Sequence, residues 1–173
     1  MAGFRNLVAD GPSALRVERV AKELSATKGS FYWHFEGPAD WRDAMLAYWR
    51  QSALEDVVAA LAGEPDGRSR LRALIRLAST MGRDPAHGGV LAEPALRAWA
   101  REDPIVAQSL REVDAARLDF LAACLAEAGL AQEKAHPGAR LIYAAHIGQQ
   151  ALGASADQDI DDLNRLLDDL LAR

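Results

Sequence analysis

The sequence predicts an all-α fold: a small three-helix head at the N-terminus and a larger helical body, about nine helices in all. Three observations lead there. Apolar residues recur at three- and four-residue intervals, and no stretch alternates as a convincing strand would. Glycine and proline punctuate the chain at roughly helix-length intervals, at Gly11-Pro12, Gly37-Pro38, Gly129, Gly153 and the stretches 63–67 and 84–89. Residues 16–35, RVERVAKELSATKGSFYWHF, condense two short helices and a tight turn.

The elements follow in order. A first helix over Phe4–Asp10 is stopped by Gly11-Pro12, the second covers Arg16–Leu24 and the third Lys28–Phe35. After the break at Gly37-Pro38 a long fourth helix spans Ala39–Leu61, and Asp66 in the following turn suits an N-cap. The fifth helix, Arg68–Arg83, carries Leu71, Leu74, Ile75 and Ala78 on one face. Asp84–Gly89, with a proline and two glycines, reads as a loop, and the sixth helix covers Leu91–Arg101. Pro104 fits the first turn of a seventh helix, Pro104–Ala128, closed by Gly129. The eighth covers Pro137–Leu152 and the ninth Ile160–Ala172. Residues 1–37 form the expected head, joined through the long fourth helix to a body of 38–173.

Composition narrows the class. Half of the 173 residues are hydrophobic, enough to bury a core, yet no run of about 18 apolar residues reaches membrane-spanning length. The start, MAGFRNLVAD, lacks the apolar region and cleavage site of a signal peptide, and the lone Cys124 forms no internal disulfide, so a cytoplasmic protein is expected. The net charge of -5 is unevenly placed: residues 1–50 hold seven Arg and Lys against six Asp and Glu, residues 51–173 thirteen against nineteen. Phosphate binding depends on local cations, and a head at +1 predicts modest non-specific affinity with a shallow salt slope.

In the head, Val17, Val20, Ala21, Leu24, Phe31 and Phe35 are spaced as the inward face of the second and third helices. The outward set of the third helix is Lys28, Ser30, Tyr32, Trp33 and His34, donors and flat rings within two turns. A short donor-rich helix after a tight turn is what the major groove of double-stranded DNA accepts. Thr27 stands where that helix begins, its hydroxyl suited to cap it or to donate to a phosphate, and Gly29 lets the backbone approach closely. Arg16, at the start of the second helix, is a further phosphate candidate.

Val17, Val20, Ala21 and Leu24, followed by Thr27-Lys28-Gly29-Ser30-Phe31-Tyr32-Trp33-His34-Phe35, resemble the helix-turn-helix of the tetracycline-repressor (TetR) family. The resemblance is sharp over roughly residues 14 to 50 and only architectural beyond. It implies a bacterial, homodimeric transcriptional regulator, usually a repressor, released from its operator by a small ligand in the helical body. It also implies phosphate contacts at Tyr32 and His34 and base-edge contacts at Lys28, Gly29, Ser30 and Trp33. Two positions depart from the pattern: Ser25 replaces a common turn glycine, and the region of Pro38 lacks a common lysine that Arg42 is placed to replace. The first helix is also short for the family, which suggests that the natural protein begins upstream of Met1.

In the body, Ile160, Leu163, Leu167 and Leu170 make one stripe, and Leu141, Ala145, Gly148 and Leu152 another. Two such helices per chain suit an intersubunit four-helix bundle and a homodimer. Polar or bulky residues out of place in apolar stretches, Trp99, Cys124, Tyr143, His146 and Gln149, with Met81 and His87 near the loop, are the candidate lining of a site for a small hydrophobic ligand. The competing reading of each is an ordinary core residue. No metal or cofactor is expected, and no H-E-x-x-H, P-loop or G-x-S-x-G spacing supports an enzyme. A metal sensor using Cys124 with His87 or His146, and a helical interaction or ligand-sensing protein whose head binds DNA weakly or not at all, are the alternatives.

Overall fold

The computed structural model describes residues 2–81 and 91–172. They are helical throughout, with no strand among the described residues. The head begins with α1 (Ala2–Asp10), α2 (Val17–Glu23) and α3 (Lys28–His34). α4 (Pro38–Arg50) passes through a π-helical segment, Gln51–Glu55, into α5 (Asp56–Ala60). α6 (Gly67–Met81), α7 (Ala92–Trp99), α8 (Pro104–Glu127), α9 (Gln132–Leu152) and α10 (Ala156–Leu171) follow. Because 38–60 is one continuous run, the described helices make nine rods, as expected.

The predicted punctuation acts where it stands. Gly11, at φ 74°, turns the chain out of α1, and Pro38 opens α4 at a position where a missing N–H costs nothing. Asp66 caps α6, its carboxylate accepting from the Ser69 N–H at 2.7 Å. Asp103 does the same for α8, accepting from the N–H groups of Ile105 and Val106.

Four expectations are corrected. The long fourth helix is not uniform: the Ser52 hydroxyl donates to the carbonyls of Tyr48 and Trp49, and Arg117 Nε donates to the Ala53 carbonyl at 3.3 Å, within the widened π turn. α9 starts at Gln132, a turn before Pro137. Proline removes one backbone hydrogen bond there, but Ala135 and Ala139 are buried on either side and packing holds the turn. α10 starts at Ala156, because the Ser155 hydroxyl accepts from the Gln158 N–H and caps it a turn early. Leu24 is 56% exposed rather than inward, since α2 closes at Glu23 and the inward stripe ends with Ala21.

The chain divides into two compact units. One takes the described residues of 1–52 and 82–111, the other those of 53–81 and 112–173. In the first, α1 buries Phe4 and Leu7, α4 buries Trp41, Met45, Leu46 and Trp49, and α7 buries Leu96 and Trp99. Gly3 permits a close approach, since a Cβ there would stand 2.5 Å from Met45 Sδ. In the second, Leu71 and Ile75 of α6, Leu121, Cys124 and Leu125 of α8, Ile142 of α9 and Leu163 and Leu167 of α10 form one core.

Gly67 lies where the start of α6 closely approaches the backbone near the end of α8. A Cβ would lie 2.4 Å from the Cys124 carbonyl oxygen and 2.9 Å from the Ala128 nitrogen, both backbone atoms that cannot rotate away. Gly67→Ala should therefore destabilise the fold by about 1–3 kcal/mol despite alanine's better helix propensity, read as a lower midpoint in urea unfolding.

Candidate nucleic-acid interface

The turn between α2 and α3 is set by Ser25, the one described non-glycine residue with positive φ, at 52°. It thus takes the left-handed conformation usually given to glycine, at a modest steric cost. Thr27 then caps α3, its Oγ1 accepting from the Ser30 N–H at 3.1 Å. Of the two roles open to this hydroxyl, the cap is occupied. α3 is pinned from below by Phe31, which is buried and meets the Trp41 ring of α4 edge to face at 5.7 Å. Phe35 packs against it at 5.1 Å and is half-buried.

The opposite face of α3 is open. Trp33 is 86% exposed and Tyr32 56%, while Lys28, Gly29, Ser30 and His34 are all exposed. A Cβ on Gly29 would meet only the Thr27 hydroxyl, at 3.6 Å, so the fold itself does not demand glycine there. Lys28 Nζ lies 2.5 Å from Glu18 Oε1 of α2. That hydrogen bond raises the Lys28 pKa and holds the Glu18 carboxyl below its ordinary value.

Several cations of the head are engaged internally. Arg5 and Asn6 of α1 both donate to Glu23 of α2, at 2.6 and 2.8 Å. Arg19 donates to Asn6 Oδ1 at 2.7 Å and pairs with Asp10. Arg42, expected to replace a missing lysine, is 18% exposed and pairs with Asp43 and Asp103, so it is turned inward rather than outward. Arg16 is exposed, with Nε donating to the Ser13 carbonyl. Lys22 is exposed and has no side-chain partner among the described residues.

The candidate ligand residues fall in both units. His87 and the Met81 side chain lie outside the described residues. Trp99 is buried on α7 in the first unit, whereas Cys124 is buried in the core of the second. Burial pushes the Cys124 thiol up, against a lesser opposing pull from Arg70. Tyr143 donates to Asp114 at 2.6 Å and accepts from Arg117 at 2.8 Å. His146 Nδ1 lies 2.9 Å from Asp159 Oδ2, and Gln149 donates to Asp162. These polar groups are thus joined to α8 and α10 by internal hydrogen bonds. Asp159 escaped the sequence reading because the ninth helix was placed a turn late, leaving it outside any helix. Ser79 also donates to Asp159 Oδ2, at 2.6 Å. Serine, histidine and aspartate meet, but both donors go to the carboxylate, and the serine lacks the hydrogen bond to histidine that activates a nucleophile.

The dimer candidates divide by helix. On α9, Leu141 and Leu152 are exposed, and a Cβ on Gly148 would meet nothing. Leu163 and Leu167 on α10 are 2% and 0% exposed, within the core of their own chain, so they are not offered to a partner. Ala145 and Leu170 are half-buried against the same core.

The two faces of α3 should respond oppositely to truncation. Phe31→Ala removes a buried ring and should cost about 3–5 kcal/mol. Trp33→Ala should leave stability within about 0.5 kcal/mol, both read by chemical denaturation.

No protein-family model and no curated protein sequence matches the chain. Solved structures do. A TetR-family transcriptional regulator from Streptomyces coelicolor, SCO4454, superposes with TM-score 0.79 at 19% identity, over 99% of this chain and 85% of its own. A candidate TetR-family transcriptional regulator from Rhodococcus sp. gives 0.75 at 22% identity, covering 98% and 94%. A transcriptional regulator of Rhodococcus sp. Rha1, RHA1_ro04179, gives 0.72 at 21%, covering 99% and 92%. With its capped α3, aromatic outer face and nine helical rods among the described residues, the chain has the fold of the TetR-family transcriptional regulators.

Proposed function

We propose that this chain is a TetR-family transcriptional regulator that binds operator DNA sequence-specifically through α3. The observation that carries this reading is the outer face of α3: Trp33 and Tyr32 stand largely in solvent on a helix whose other face is locked by Phe31. Tyr32 touches the core only edge to face against Phe31, at 5.4 Å, and Trp33 stands almost wholly in solvent, so both rings are open to a DNA groove that would cover them. Lys28, Ser30 and Trp33 are the base-facing set, Tyr32 and His34 the phosphate-facing set, with Arg16 and Thr27 at the margin and Gly29 admitting close backbone approach.

The regulator acts as a homodimer, its α9 faces meeting through Leu141, Gly148 and Leu152. A closed two-fold pair presents two heads to a palindrome whose half-sites repeat about 34 Å apart. A small hydrophobic ligand in the helical body favours a state with the wrong head spacing and so relieves repression. Such a switch needs about 1–3 kcal/mol of coupling.

A second reading, a helical sensor with a head that binds DNA weakly, is favoured by one observation: Arg5, Arg19 and Arg42 are engaged by carboxylates. Fluorescence anisotropy on DNA from the protein's own upstream region, with scrambled DNA as control and salt varied, separates the two. The regulator prefers the upstream duplex with a shallow salt slope, while equal weak binding to both supports the sensor.

Within that assay, Tyr32→Ala and Lys28→Ala should each abolish operator binding while dimer mass and melting temperature stay nearly unchanged. A variant that instead unfolds assigns its residue to structure. Leu141→Asp should convert dimer to monomer in sedimentation and weaken operator binding by at least ~10-fold, since one head loses its tethered partner.

A further inference from the structure

The Glu18–Lys28 pair is out of keeping with a surface built to meet phosphates. A carboxylate there repels the DNA backbone, and it cancels the charge of the lysine that opens α3. Both side chains are well exposed, at 62% and 58%, so the pair contributes little to holding the head together. Resting on the reading of α3 as the DNA-contacting helix, we propose that Glu18 and Lys28 act as one unit that reads a single G·C base pair, with Glu18 facing the cytosine.

The chemistry is complementary atom by atom. In the major groove cytosine presents its N4 amino donor beside the O6 and N7 acceptors of its guanine. Glu18 supplies an acceptor and Lys28 a donor, 2.5 Å apart, close to the spacing of about 2.9 Å between hydrogen-bonded bases. The pair need not open to bind. The ammonium has three N–H groups, one directed at Glu18 Oε1 and two left for O6 and N7, while Oε2 remains to accept from N4. Each side chain also fixes the other, which limits the rotamer entropy lost on docking.

The pair also sets an order of preference. Guanine or thymine facing Glu18 brings an acceptor, O6 or O4, against the carboxylate and is repelled. Adenine offers its N6 amino group, and its thymine offers one acceptor to Lys28, so A·T is the second choice. The expected order at the position facing Glu18 is cytosine, then adenine, with thymine and guanine last. Because the pair has no net charge, it adds specificity without adding to the salt slope.

The test uses the full-length protein and duplexes selected from randomised DNA. Wild type should select one fixed G·C position per half-site with that order. Glu18→Gln should relax the preference at this position alone by about 5- to 100-fold, leaving flanking positions unchanged. Replacing that cytosine by 2-pyrimidinone, which lacks the amino group, should weaken wild type but not Glu18→Gln. Replacing its guanine by 7-deazaguanine, which lacks the N7 acceptor, should weaken wild type as well. An unchanged melting temperature confirms that Glu18→Gln folds. If Glu18→Gln tightens all duplexes equally and keeps every preference, Glu18 only neutralises Lys28 and the proposal falls while the regulator reading stands. If wild type does not distinguish selected from scrambled DNA, both fall.

Discussion

The head depends on one contact, the buried Phe31 ring set edge to face on Trp41. α3 has only seven residues, too few to persist as an isolated helix in water, so its order is borrowed from what it packs on. Phe31 anchors the middle of the helix to α4, and the Thr27 cap closes its start. With one side locked, the other is free to carry Tyr32, Trp33 and His34 in solvent without collapse onto the core. The exposed face is thus a consequence of the buried one. Ser25 completes the arrangement: its left-handed backbone aims α3, and the small strain is carried by the packing on either side.

The second unit is organised by a different balance. Its core of leucines and alanines is accompanied by polar groups joined across helices, Tyr143 to Asp114 and Arg117, His146 and Ser79 to Asp159, and Gln149 to Asp162. Hydrogen bonds of this kind add little net stability but penalise any packing that leaves one partner alone, so they fix helix register. Arg117 also reaches the Ala53 carbonyl, bringing the π segment into this network. The π turn is where the uniform ladder of the fourth predicted helix gives way, and side chains stand in for regular backbone bonds around it.

Electrostatics sharpen the view of the head. Counted along the sequence, residues 1–50 are nearly neutral, and the fold then engages Arg5, Arg19 and Arg42 with carboxylates. Such pairs join α1 to α2 and α4 to the start of α8, and they offset the charge of arginines that, apart from Arg42, stay exposed. On the proposed DNA-binding reading, a head with its charge offset in this way would rely on shape and on specific edge contacts more than on general attraction to phosphate.

The sequence by itself determined the helical class, the number of helical rods among the described residues, the turn at residues 24–27 and the residues of α3 that face outward. These rest on local physics: periodicity, glycine and proline, and capping side chains act within a few residues of where they stand. Tertiary structure alone decided the rest. Pro137 lies inside α9 because Ala135 and Ala139 are buried around it, and Leu163 and Leu167 turn to their own core because α6, α8 and α9 surround them. That Asp103 joins the adjacent Asp43 on Arg42, and that Glu18 stands against Lys28, depend on partners 61 and 10 residues away in the chain. The periodicity of one helix says that it has an apolar face; only the packed helices say what covers that face.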